Sequence, residues 1–92
     1  MEICFTTHVF KEGELYVAYT PELDISSCGV SIEEAKAHLN EALTAFLEEA
    51  ERMNTLHSIL EEAGFQPTTA HETWEGPEPL LFERSHLVVP TV

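Results

Sequence analysis

The apolar positions change period twice along the chain. Over residues 3–10 they alternate: Ile3, Phe5, Thr7 and Val9 share one face, and Cys4, Thr6, His8 and Phe10 share the other. A period of two in β-branched and aromatic residues predicts a strand. Lys11, Glu12, Gly13 and Glu14 make a turn, in which glycine takes positive φ at little cost. Residues 15–19 (LYVAY) are the return strand of a β-hairpin. Pro21 stops it, having no amide hydrogen to give the ladder. After the Glu22-Leu23-Asp24 corner, residues 25–28 (ISSC) form a short third strand that Gly29 breaks.

From Ile32 the period lengthens to that of a helix. Ile32, Ala35, Leu39, Ala42, Leu43, Phe46, Leu47, Ala50 and Met53 fall on one arc, as on a helix lying against a sheet. Ser31 followed three residues later by Glu34 is a capping-box pattern, and Glu33 and Glu34 suit the positive end of the helix dipole. Lys36, His38, Asn40, Glu41, Glu48, Glu49 and Arg52 should meet solvent. Asn54 or Thr55 starts a second, shorter helix with the stripe Leu56, Ile59, Leu60 and Ala63. Gly64 fits the left-handed position past its end, with Phe65 contacting Leu60 in a Schellman close.

Residues 66–79, with three prolines, read as a loop, long enough to suggest wrapping or partner contact. Trp74 anchors it. In residues 80–89 the alternation returns, Phe82, Arg84, His86 and Val88 against Leu81, Glu83, Ser85, Leu87 and Val89, and Pro90 ends it. The expectation is an α+β fold of order β-β-β-α-α-β. It is one domain over residues 1–92, with a three-stranded antiparallel sheet, a long and a short helix, and a C-terminal strand at 80–90.

Charge narrows the partners. Seventeen acids against four Lys or Arg give a net charge of −13 in 92 residues. Nucleic acid and anionic membranes need clustered cations, whereas Lys11, Lys36, Arg52 and Arg84 are scattered. A basic protein would be drawn to such a chain. No apolar run spans a bilayer and no signal pattern opens the sequence, so a cytoplasmic protein is expected. Cys4 and Cys28 are expected to be reduced thiols in the core.

No catalytic pattern stands out. His71-Glu72-Thr73-Trp74-Glu75 has the outline of a zinc HExxH motif, but Glu75 replaces the second histidine and the surroundings are not helical. The five histidines show no spacing that pairs them with acids or cysteines, and the four glycines are isolated turn residues, not a phosphate loop. Neither cofactor nor metal is expected.

Tyr16-Val17-Ala18, Pro21-Glu22-Leu23, Ser27-Cys28-Gly29 and Glu33-Glu34-Ala35, in this order, resemble the HicB family, the antitoxin half of HicA–HicB toxin–antitoxin pairs. The resemblance covers residues 3 to about 53 well and the rest more loosely. Relatives usually carry Gly-Asp-Thr or Gly-Glu-Thr before the helix; here Gly29-Val30-Ser31 keeps the cap hydroxyl and loses the acid. The resemblance implies a truncated ribonuclease H-like fold, so nuclease chemistry must be weighed. That chemistry needs converging carboxylates, and the first strand has no acid between Glu2 and Glu12. HicB antitoxins commonly add a C-terminal helical DNA reader, for which the residues after Gly64 are too few and not basic.

What the resemblance implies is binding and neutralisation of a HicA-type toxin, a small basic RNA-cleaving protein. Tyr19, Glu22, Asp24 and Glu83 are the candidate partner contacts. The alternative is a homodimer or higher homo-oligomer serving as scaffold or adaptor without a toxin, pairing through an exposed edge at residues 80–89.

Overall fold

The computed structural model describes residues 1–68 and 72–91. In chain order its elements are β1 (Glu2–Cys4), β2 (His8–Glu12), β3 (Leu15–Thr20), β4 (Ile25–Gly29), α1 (Ile32–Arg52), α2 (Leu56–Glu62), β5 (Gln66–Pro67) and β6 (Thr73–Glu75). The fold is α+β. The expected antiparallel sheet is present as β2-β3-β4. Glu12 pairs with Leu15, leaving Gly13 and Glu14 as a two-residue turn. Gly13 has φ +60° there, at the position where a type II′ turn takes glycine.

Register assigns the faces of this sheet. Val9, Ala18 and Ser27 are partners, as are Lys11, Tyr16 and Gly29 in the next covered row. This face carries α1, and Ala18, Ala35, Leu39 and Leu43 form its buried core. On the opposite face the rows are His8, Tyr19 and Ser26, then Phe10, Val17 and Cys28. Among the described residues no helix covers them.

Gly29 sets how closely α1 can lie on the sheet. A Cβ there would come 2.7 Å from the Ala35 amide nitrogen and 2.9 Å from the Glu34 carbonyl carbon. Gly29 ends β4, as expected, and its lack of a side chain also permits this close approach. Two residues on, the Ser31 hydroxyl accepts the Glu34 amide hydrogen at 3.1 Å, satisfying an orphan donor of the helix start.

Both helices end the same way. Asn54 has φ +59°, its amide donates to the Glu51 carbonyl, and the Thr55 amide reaches the Ala50 carbonyl at 2.9 Å. At α2, Gly64 has φ +89°, its amide bonds to Glu61, and the Phe65 amide bonds to Leu60 at 2.9 Å. Each pair of bonds is a Schellman motif. The Thr55 hydroxyl turns back to the Ala50 carbonyl, so it does not cap α2 as expected.

Several other expectations need correction. Residues 3–10 are two strands, not one. At the break the Thr6 amide donates to the Glu22 carboxylate at 2.9 Å, and Phe5 packs against both core clusters. A backbone donor committed to a side chain cannot join a ladder. Next, the 66–79 loop contains β5 and β6, and β1 pairs parallel with β6 to build a second sheet, β1-β6-β5. Trp74 is the buried anchor expected, in a cluster with Ala50, Leu56, Leu60 and Phe65.

The alternating segment 80–89 is not a strand, and its side chains are exposed. Its pattern suits a sheet, but among the described residues it has no ladder partner. Finally, the solvent boundary of α1 moves. Ile32, Phe46 and Met53 are exposed, while His38 is half-buried, its Nδ1 bonded to the Cys28 carbonyl at 2.7 Å. Cys4 and Cys28 are free and exposed on different sheets, not core residues.

Candidate functional site

The corner between β3 and β4 gathers three of the four candidate contacts. Asp24 takes φ +53°, a left-handed conformation that Asp and Asn tolerate better than most side chains. That turn brings its carboxylate to the Tyr19 hydroxyl, which donates to it at 2.8 Å. Glu22 is engaged differently: one carboxylate oxygen accepts the Thr6 amide at 2.9 Å and the other accepts the Thr20 hydroxyl at 3.0 Å. Gly76 lies against the same carboxylate, where a Cβ would come 3.1 Å from its oxygen. Glu22 thus fastens the β1–β2 break to the corner, with both carboxylate oxygens engaged within the fold.

Tyr19 and Asp24 remain available to a partner. The hydrogen bond to Asp24, then burial and the charge of Asp24, push the Tyr19 phenol above its ordinary value. The protonated phenol is the donor, so the bond contributes fully below the unfolded tyrosine value of about 10. The contribution is lost as pH rises through the raised folded value. Asp24→Asn keeps a residue that accepts positive φ and removes the charge. The Tyr19 ultraviolet titration should then move down toward the ordinary value. An unchanged curve would show that Asp24 does not control the phenol.

Glu83, the fourth candidate, stands apart in the exposed segment 76–91. That segment begins against the body of the protein: the Phe82 ring meets His8 edge-on at 5.3 Å between centroids. Beside this contact lies an open cleft of about 510 Å³, lined by Thr6, His8, Pro21, Glu22, Pro77 and Phe82 among others. From it extends the uncovered sheet face, where Phe10 and Tyr19 rings lie 6.4 Å apart and Phe10 and Leu15 are exposed. Sequence reasoning did not single out Phe10 and Phe82 as residues of this surface. The available signal was the alternation that put His8 and Phe10 on one face.

Among the described residues no three His, Cys, Asp or Glu side chains converge as a metal site requires. His71 of the HExxH-like stretch lies outside the described residues, and Thr73, Trp74 and Glu75 form β6, where neighbours two apart share a face. Among the described residues no helix is long and apolar enough to cross a membrane. Comparison with protein-family models, with curated proteins and with solved structures finds no match.

Proposed function

We propose that this chain acts by binding protein, as a HicB-like antitoxin that holds and neutralises a small basic HicA-type RNA-cleaving toxin, with no chemistry of its own. The observation that carries this reading is the uncovered face of the β2-β3-β4 sheet. Phe10, Leu15, Val17 and Tyr19 form its apolar centre, and Glu12, Glu14 and Asp24 stand around it as an acidic rim. An apolar centre with a charged rim is the usual anatomy of a protein interface, and the acids select a basic partner. The net charge of −13 supports the same choice by speeding encounter. The sequence motifs shared with HicB proteins name the class of partner.

Co-expression with the product of the adjacent gene tests this. Restored growth and a stable copurified complex are expected, both lost with Phe10→Arg, whose exposed position spares the fold. If the neighbour encodes no small basic protein and none is captured, the toxin reading fails. The second reading, a homo-oligomeric scaffold without a toxin, draws on a different observation, the exposed segment 80–89.

A further inference from the structure

The described surface is too large for a folded chain of this mass. A compact monomer of 10.3 kDa exposes about 5,400 Å², whereas this one exposes 7230 Å². Its radius of gyration is 16.1 Å, against about 12 Å for a compact domain of this length. Segment 76–91 accounts for the difference in character: it has no helix or strand, and Leu80, Leu87 and Val88 are 94%, 91% and 95% exposed. Such a row of aliphatic side chains in water is costly, at about 25 cal/mol per Å².

We infer that residues 80–89 are an exchanged β-strand, which pairs with the free edge of β2 in a second copy of the chain while that copy's arm pairs reciprocally. Several observations converge on this occupant. The arm alternates as a strand does and holds no proline, with Pro79 and Pro90 bracketing it. Extended, its ten residues would reach about 33 Å, ample to cover the five residues of β2.

The available edge is β2. It is the terminal strand of its sheet, whereas at β4 the other edge has its Cys28 carbonyl taken by His38. Phe82 on His8 roots the arm beside the start of β2, so a two-fold arrangement brings each arm to the other copy's edge. Charge favours a second copy over a basic protein for this surface. Residues 80–91 carry one acid, Glu83, and one Arg, Arg84, and β2 balances Lys11 against Glu12. The meeting strands are thus neutral in a chain that elsewhere repels itself. The area is sufficient as well: the excess of roughly 1,800 Å² per chain exceeds the ~800 Å² each partner contributes to a standard interface.

This arrangement goes beyond toxin binding and does not require a toxin, so the test uses the full chain alone. Sedimentation equilibrium should give twice the chain mass of 10.3 kDa. The double variant Leu87→Glu, Val88→Glu should give a single chain mass with an unchanged helical circular dichroism signal, because neither side chain packs against the helices or the core. Hydrogen exchange adds an independent reading, since β2 amides should be protected in the parent and lose protection in the variant. A monomeric parent, or a variant that stays dimeric, would overturn the inference.

Discussion

Gly29→Val is expected to lower the stability of the protein by about 3 kcal/mol, at the upper end of overpacking effects. Even a methyl group at Gly29 would sit 2.7 Å from one backbone atom of α1 and 2.9 Å from another. Backbone cannot swing aside as the end of a long side chain does, so relief requires moving α1 away from β4. That movement would open the contact between Ala18, Ala35, Leu39 and Leu43. For a domain whose total stability is typically ~5–15 kcal/mol, the loss is a large fraction. Urea denaturation should show a lower midpoint with unchanged slope. An unmoved midpoint would mean that α1 is not held at this distance.

Leu39→Ala is expected to cost a similar amount, about 3 kcal/mol, through an unfilled space rather than a clash. Leu39 is fully buried, and its cluster already includes two alanines, Ala18 and Ala35. Those short side chains cannot reach into the void, which places the substitution away from the mild end of such changes. A domain of this length should melt roughly 12–24 °C lower for that loss. Calorimetry measures it directly, and a barely changed melting temperature would show that the site collapses around alanine.

The elements that sequence reveals best are those held by contacts near in the chain. The hairpin of β2 and β3, the Ser31 cap and the Gly64 close each depend on residues within a few positions of one another, so propensity and pattern suffice. The missed features depend on distant partners. The split between β1 and β2 comes from Glu22, sixteen residues beyond Thr6. β6 becomes a strand because β1, some seventy residues earlier, offers it an edge, with Ile3 opposite Trp74. Pattern alone does not tell a strand from a segment with strand character; a strand needs a ladder, and among the described residues positions 80–89 have none.

The candidate surface was legible in a similar proportion. Tyr19 and Asp24 are together because a turn of four residues brings them there. Glu22 shared the same signal, an acid in a turn, yet both its oxygens are committed to holding the fold. Glu83 belongs to the arm. Acidity marks where a basic partner is welcome, but only the hydrogen-bond partners separate a free carboxylate from an occupied one.

The parallel pairing of β1 with β6 also has a consequence for biosynthesis. Glu2, Ile3 and Cys4 are among the first residues made, and Thr73, Trp74 and Glu75 are their ladder partners. The β2-β3-β4 meander and α1 can pack as soon as residue 52 is free. The clasp must then wait for 23 more residues, about one to five seconds of translation. During that interval the first strand is an unpaired, sticky end on a half-finished molecule. A ribosome pause between α2 and β6 would therefore lengthen the period in which nascent chains can aggregate, while a pause after Glu75 would not.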